Sequence, residues 1–174
     1  DSTKGGKAVI FVGTKSQAKD TIKKIAESVG MPYVSERWMG GILTNFQTTQ
    51  QQIAKLKKIE SQLASGEIQA KYSKLEIQRF QEKADKMNSF YGGIKDMQAL
   101  PAVMVVSDVI TDDIAIKEAK KKGIPVIGIV DSNANPDVVD IAIPAHDDAI
   151  KSIDLIKTYL ASAVNTKAPA ATEK

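Results

Sequence analysis

Three short apolar runs, each of five or six residues, constrain the fold more than any other feature of this sequence. They are AVIFV at residues 8–12, AVMVV at residues 102–106 and PVIGIV at residues 125–130. Continuous apolar runs of this length are typical of strands buried on both faces, as the strands of a parallel sheet are. Because parallel strands need crossover connections, we expect helices between them and a doubly wound α/β sheet.

Helical patterns occupy the segments that such crossovers require. After the first run, apolar residues recur every three or four positions as far as Val29, and Gly30 stands where a left-handed helix end is needed. A second helical stretch ends before Gly123 in the same way. Further elements are predicted: a strand that begins with Tyr33 and Val34, a strand over residues 141–143, and a helix that begins near Asp148 with Asp147 as its cap.

The middle of the chain differs in amino-acid composition, and its pattern predicts a helical hairpin. Residues 44–91 are rich in Gln, Lys and Glu, contain no proline and have a single glycine, Gly66. Ser73, followed three residues later by Glu76, forms a capping-box pattern at the start of the second arm. Apolar residues at coiled-coil spacing face each other on the two arms: Ile53, Leu56 and Leu63 on the first, and Ile77, Phe80, Ala84, Met87 and Tyr91 on the second.

These patterns together predict the organisation of the chain. We expect an α/β domain formed by residues 1–43 and 92–164, with a coiled-coil hairpin inserted at residues 44–91. At a rise of 1.5 Å per residue, the hairpin arms would project by roughly 30 Å. Residues 165–174 lack periodicity and large apolar side chains, which predicts a disordered tail.

Charge is distributed unevenly along the chain. Residues 1–100 contain 16 Lys and Arg against 10 Asp and Glu, a balance of +6, whereas the remainder contains 8 against 11, a balance of −3. A basic first half suits a nucleic-acid partner.

The composition also excludes some kinds of site. The absence of cysteine and the single His146 exclude thiolate and multi-histidine metal sites. No apolar stretch approaches the roughly 20 residues of a membrane-spanning helix.

Two groups of polar residues follow the predicted strands, and each has more than one interpretation. GTKS at residues 13–16 follows a strand and opens a helix, which suits either a plain helix start or a contact with RNA phosphate through Lys15 and Lys19. Acidic residues are expected near the carboxyl ends of strands, where open α/β sheets bind ligands, although helix capping is their other role. They are Asp108, Asp112, Asp113 and Asp131, and they leave open an α/β ligand-binding protein or a Mg²⁺-dependent enzyme.

The run RWMGGILTNF at residues 37–46 carries the strongest functional signal. Arg37 and Trp38, the only tryptophan, precede a glycine pair that lets a backbone pass close to another surface. A guanidinium can fork onto phosphate, and an indole can stack on a base. Physical reasoning alone leaves a second interpretation open, in which Trp38 fills the core and Thr44 or Asn45 caps the hairpin helix.

Several runs together resemble the small-subunit ribosomal protein two family in its bacterial form. They are FVGTKSQA at residues 11–18, RWMGGILTN at 37–45, GGIKDMQALP at 92–101, IAIKEAKKKGIPVIGIVDSNANPD at 114–137 and IPAHDDAIKSI at 143–153. The resemblance implies a flavodoxin-like α/β domain with a coiled-coil hairpin, no catalytic activity, no cofactor, and a place on the cytoplasmic ribosome of a bacterium in preference to an organellar one. The implied partners are small-subunit ribosomal RNA and other small-subunit proteins, including the large first protein of the subunit, with neither a membrane nor DNA.

The resemblance and the basic first half together predict which residues contact ribosomal RNA. The expected set lies in the GTKS segment, in the RWMGGILTN run and on the first hairpin arm, where lysines add salt-sensitive attraction. It comprises Lys15, Lys19, Arg37, Trp38, Thr44, Asn45, Lys55, Lys57 and Lys58. A coiled-coil adaptor, whose hairpin binds protein instead of RNA, is a third class of function.

This sequence departs from the family pattern in two places. Family chains carry a further helical and strand segment with a His-Phe-Gly-His-like stretch and an ILDL-type strand, and this sequence begins after it. We expect such a segment to supply some RNA contacts and part of the cover over the core. His146 stands where the family commonly has an asparagine, a conservative change in a turn.

Overall fold

The computed structural model describes residues 8–145. The predicted helix from Asp148, its cap Asp147, His146 and the tail at residues 165–174 lie outside the described residues. Within residues 8–145, none of the helices is long and apolar enough to cross a membrane.

Five strands of the described chain form one parallel sheet in the order β2-β1-β3-β4-β5. Val9 pairs with Val103 and Val12 with Val106, so the first and third strands run side by side over their whole length. The strand order reverses between these two strands, as in flavodoxin-like sheets, which confirms the predicted α/β fold class. The strands are β1 (Val9–Val12), β2 (Tyr33–Val34), β3 (Val103–Val106), β4 (Val126–Val130) and β5 (Ile141–Pro144).

Two crossover helices confirm the alternation expected from the sequence. Helix α1 spans Lys19–Ser28 and leads from β1 to β2. The second crossover helix, Asp113–Lys121, leads from β3 to β4. Gly30 and Gly123, just beyond the two helix ends, have φ angles of +63° and +67°, the left-handed conformation that the sequence predicts for them.

The inserted segment forms two long arms and a short helix between them. Helix α2 (Phe46–Ala64) is followed by α3 (Glu67–Lys71) and α4 (Lys74–Tyr91), so the second crossover helix is α5. The predicted capping box is present, because the Glu76 carboxylate accepts hydrogen bonds from the Ser73 backbone N–H at 3.0 Å and from its hydroxyl at 2.8 Å. The sequence did not predict α3.

The two long arms, α2 and α4, pack against each other through apolar side chains. Leu56, Ile59 and Ala84 are buried between the arms, and Leu63, Phe80, Met87 and Tyr91 pack against them.

The core lies on both faces of the sheet. On one face, Val9, Phe11, Val103 and Val105 pack against Ile22 and Ala26 of α1. On the other face, the core includes residues of the sheet, of α5 and of the segment that follows β2: Ile10, Val12, Met104, Ile116, Trp38, Ile42 and Leu43. Ile53 of α2 also belongs to this second cluster, so the foot of the hairpin packs into the α/β core. The division into residues 1–43 with 92–164 and residues 44–91 stays a prediction.

Candidate nucleic-acid interface

The segment between β2 and α2 folds inward where the sequence left two interpretations open. Trp38, Ile42 and Leu43 are buried, and Trp38 is only 6% exposed. Gly41 adopts a φ of +99°, a left-handed conformation that L side chains rarely adopt. We call residues 37–45 the Arg37 loop.

A single carboxylate, from a residue far along the sequence, holds this loop by hydrogen bonds. Glu118 of α5 is 7% exposed, and its two oxygens accept five hydrogen bonds. One oxygen accepts from the Trp38 indole Nε1–H at 3.2 Å and from the Gly41 N–H at 2.6 Å. The other accepts from the Leu43 N–H at 3.0 Å and from the N–H and the hydroxyl of Thr44, both at 3.1 Å. The Arg37 loop is therefore organised around one buried anion.

The electrostatics of Glu118 follow from these contacts. Burial by itself would raise the pKa of the carboxyl, because it disfavours the charged form. Hydrogen bonds from the N–H groups of Gly41, Thr44 and Leu43 and from the Trp38 indole outweigh burial, so the pKa of Glu118 lies below its ordinary value. The side chain is therefore ionised at neutral pH, and every donor around it points at a full negative charge.

Arg37 and Asn45, at the two ends of the loop, face solvent. Among residues 8–145, the exposed Arg37 guanidinium has no hydrogen-bond or ion-pair partner. The exposed Asn45 occupies the N-cap position of α2, and its Oδ1 accepts a hydrogen bond from the Thr48 hydroxyl at 2.9 Å. The loop thus exposes the Arg37 guanidinium beside a backbone that Glu118 fixes in place. It also leads into the N-terminus of the 19-residue helix α2, and helix N-termini favour anions.

Trp38 and Thr44, which belong to the predicted RNA-binding set, lie differently. The Trp38 ring is buried, and its only polar atom is already bound to Glu118. Both the N–H and the hydroxyl of Thr44 also donate to Glu118. A direct RNA contact by either side chain stays a prediction, and stacking of a base on Trp38 would need a local rearrangement of the loop.

Carboxylates after β3 hold the GTKS segment in a comparable way. The buried Asp112 accepts hydrogen bonds from the Thr14 N–H at 3.3 Å and from the Thr14 hydroxyl at 2.8 Å. The buried Asp108 lies 3.6 Å from the Lys15 Nζ. Lys15 is therefore placed beside the end of β3 by an ion pair.

Asp108 is also the anchor of its own turn. It accepts hydrogen bonds from the Ile110 N–H at 2.8 Å, from the Thr111 N–H at 3.2 Å and from the Thr111 hydroxyl at 2.6 Å. Burial acts to raise the pKa of Asp108, but these bonds and the charge of Lys15 lower it overall.

The acidic residues that suggested a ligand site are thus engaged within the protein. Asp113 forms an ion pair with Lys117 at 2.6 Å, and Asp131 accepts a hydrogen bond from the Ser132 N–H at 2.6 Å. No cluster of three or more potential metal-ligating side chains occurs in the part of the chain that the structure describes. These acidic residues therefore take the structural role that the sequence left open beside a ligand site.

The remaining predicted RNA contacts are lysines on helix surfaces. Lys19 pairs with Glu36 at 2.6 Å, and Lys57 pairs with Asp96 at 3.3 Å. Lys55 and Lys58 are exposed on α2. The ion pair with Glu36 places Lys19 beside the residue that precedes Arg37, whereas the three hairpin lysines lie on α2.

A groove beside Lys19 does not suit a phosphate. This cavity of about 550 Å³ lies between α1, β2 and the end of α4. Its charged lining consists of two lysines, Lys19 and Lys23, and four carboxylates, Asp20, Glu27, Glu36 and Asp85. Because negative charge dominates, any RNA contact of Lys19 must be made outside the groove.

Sequence reasoning missed Glu118, the residue that organises the loop. Its signal is its place on α5, where Ala115, Ile116 and Ala119 define the buried side of the helix. A carboxylate that follows Ala115 by three positions shares this face and must find donors there. Which donors it finds could not be read from the sequence.

The comparisons with known proteins agree with the fold and with the resemblance of the sequence runs. A family model described as Ribosomal protein S2 matches residues 1–167. Proteins named Small ribosomal subunit protein uS2 from Coprothermobacter proteolyticus and Geotalea uraniireducens are 45% and 44% identical to this chain over 164 residues. The matches cover 94% of this chain and 61% and 64% of those proteins, so the chain spans about three fifths of the length of these curated relatives. The chain belongs to the ribosomal protein S2 family.

Proposed function

We propose that the chain is a structural component of the small ribosomal subunit, which binds ribosomal RNA and neighbouring ribosomal proteins and catalyses no reaction. Membership of the ribosomal protein S2 family supports this proposal, as does the concentration of positive charge in the first 100 residues. The proposal places the protein on the ribosome in the bacterial cytoplasm. It includes a contact with the large first protein of the subunit, as the resemblance implies.

The observation that carries the RNA part of the proposal is the position of Arg37. This guanidinium is exposed, has no partner within residues 8–145 and is attached to a loop that Glu118 holds by five hydrogen bonds. A fixed backbone lowers the entropy that an arginine loses when it binds, and a guanidinium matches the geometry of phosphate oxygens. Arg37 is therefore proposed to bind the RNA backbone.

The other predicted residues divide into two groups. Lys15, Lys19, Asn45, Lys55, Lys57 and Lys58 carry polar groups at or near the surface and are proposed as phosphate contacts. For the ion-paired lysines, binding would exchange a carboxylate for a phosphate. Trp38 and Thr44 are proposed to act on RNA binding through the shape of the loop, since both donate to Glu118.

The direct test is binding of the purified chain to small-subunit ribosomal RNA at several salt concentrations. The logarithm of the binding constant should fall linearly with the logarithm of the salt concentration. Arg37→Ala should weaken binding and reduce the slope by about one, whereas Arg37→Lys should keep the slope and lose part of the affinity. A DNA duplex of similar length is the control for unspecific attraction.

Each alternative function makes a different prediction for the same experiment. If RNA and the DNA duplex bind equally at every salt concentration, the proposed role in the subunit is contradicted. If neither binds, but the chain captures a protein from small subunits and loses it when the hairpin is altered, the adaptor hypothesis is favoured. Stoichiometric binding of a nucleotide with Mg²⁺, measured by calorimetry, would favour the ligand-binding alternative.

A further inference from the structure

We propose that Glu118 is a positioning residue for RNA binding: its buried carboxylate holds the Arg37 loop in the conformation that binds RNA. The inference rests on the proposed function, because it concerns the same interface. According to this inference, part of the affinity for RNA depends on the Glu118 carboxylate, although that carboxylate does not touch RNA.

The five donors to Glu118 come from both halves of one short loop. Trp38 immediately follows Arg37, and Thr44 immediately precedes Asn45, so the carboxylate fixes the chain next to each exposed side chain. Between them, the N–H groups of Gly41 and Leu43 donate to the two different oxygens. Both ends of the Arg37 loop are thereby held by one anion.

Few other hydrogen bonds hold the backbone of this loop. Its glycine pair, Gly40 and Gly41, has more backbone freedom than any other residue type would give. The backbone hydrogen bonds within it run from the Ile42 N–H to the Met39 carbonyl at 3.3 Å and from the Asn45 N–H to the Gly41 carbonyl at 2.9 Å. Apolar packing of Trp38, Ile42 and Leu43 also restrains the loop, but most of the polar restraint on its backbone N–H groups comes from Glu118 of α5, about 75 to 80 residues away in sequence.

Loss of the charge would change the loop more than the fold. A glutamine at position 118 keeps the size of the side chain but replaces one acceptor oxygen by an NH₂ group, which faces N–H donors. Several part-buried N–H groups would then lack an acceptor, and the loop would open to satisfy them with water. The sheet and α1 do not depend on these bonds, so they should keep their structure.

A double-mutant cycle on RNA binding tests the inference. Glu118→Gln and Arg37→Ala should each lower the affinity for small-subunit ribosomal RNA, by about tenfold in order of magnitude. If Glu118 acts by positioning Arg37, the double variant should bind about as well as the weaker single variant. Losses that multiply, to about a hundredfold, would mean that the two residues act independently and would overturn the inference.

Two controls separate positioning from a loss of stability. Asp113→Asn makes the same chemical change at an exposed site on the same helix and should leave the affinity within about twofold. The emission of Trp38, the only tryptophan, should shift to longer wavelength in Glu118→Gln while the far-ultraviolet circular dichroism is unchanged. An unshifted emission together with unchanged affinity would show that the carboxylate does not hold the loop.

A milder variant keeps the test valid if Glu118→Gln does not fold. Thr44→Val removes one donor to the same carboxylate and keeps the branched shape of the side chain. Its loss of affinity should likewise disappear when Arg37 is already alanine, and a loss that persists would overturn the inference. Failure of the inference is distinguishable from failure of the proposed function, because in the second case the unaltered chain does not bind the RNA.

Discussion

The indole Nε1–H of Trp38 donates a hydrogen bond of 3.2 Å to the buried carboxylate of Glu118, which lies 80 residues further along the chain. The two residues belong to halves of opposite net charge, +6 before Pro101 and −3 from it onwards. Asp112 holds Thr14, and Asp108 holds Lys15, across the same division. Carboxylates of the acidic half therefore anchor the loops of the basic half that are proposed to meet RNA.

The burial of Trp38 predicts a large effect on stability. Trp38→Ala should lower the free energy of unfolding by about 3–5 kcal/mol, because it leaves a cavity in the core that α5 and the sheet share. Trp38→Phe should cost less, about 1–3 kcal/mol, since it fills most of the space but leaves Glu118 without one donor. Urea denaturation measures both. An alanine variant with full stability and weakened RNA binding would show instead that the ring is an exposed platform.

The lowered pKa of Glu118 predicts how stability depends on pH. A carboxyl whose pKa is lower in the folded chain contributes stability that is fully present above its unfolded pKa and is lost as the pH falls through its folded pKa. Asp108 acts in the same direction. The free energy of unfolding should therefore decline as the pH falls below about 4.5, the ordinary value for glutamate.

A comparison of variants assigns part of this pH dependence to Glu118. The free energy of unfolding of the unaltered chain should exceed that of Glu118→Gln at neutral pH, and the difference should shrink as the pH falls. The reason is that protonation of Glu118 in the unaltered chain removes the negative charge that the variant lacks at every pH. A difference that stays constant down to about pH 2 would contradict the assignment.

The lysines of α2 should strengthen RNA binding because their positive charges lie on the hairpin, and not only because they add to the net charge of the chain. Replacing Lys55, Lys57 and Lys58 by glutamate should weaken RNA binding and flatten its salt dependence, since three phosphate contacts are lost. The same triple replacement at Lys120, Lys121 and Lys122, all exposed at the end of α5, changes the net charge equally and serves as the matched control. Equal losses in the two variants would show that total charge matters and not the hairpin.

The buried hydroxyl of Ser107 predicts a substitution that does not destabilise. This Oγ has no hydrogen-bond partner within residues 8–145, and a Cβ placed on Gly13 would lie 2.5 Å from it. Ser107→Ala should therefore be neutral or stabilising, by up to about 1 kcal/mol. Gly13→Ala should cost about 1–3 kcal/mol by overpacking, and less when combined with Ser107→Ala. Thermal unfolding of the three variants checks this, and a strongly destabilised Ser107→Ala would contradict it.

Local chemistry made much of the fold predictable. The apolar runs become β1, β3 and β4 because strands buried on both faces need continuous apolar sequence. Gly30 and Gly123 end their helices because the left-handed conformation there suits a residue without a Cβ. Helix α3 was not predicted, since residues 67–71 are too few to show a periodic pattern.

The site was less predictable because its contacts are long-range. For Trp38, the sequence left a core role and an RNA-stacking role about equal, and the partner that distinguishes them, Glu118, lies 80 residues away. Asp108 and Asp131 do follow the carboxyl ends of β3 and β4, as the sequence predicts. The donors that acidic residues after a strand find, such as Thr14 for Asp112, depend on tertiary geometry. Only a residue's neighbours in space decide whether a carboxylate there binds a cation or a backbone N–H.

Sedimentation of the chain with small ribosomal subunits tests the central claim most directly. The claim is that this chain is an RNA-bound structural component of the subunit. In a sucrose gradient at low salt, the chain should migrate with the small subunit, and it should be released only at high salt, as expected for binding that displaces counterions from phosphates. A chain that stays at the top of the gradient at low salt, with the subunits intact, would contradict the claim.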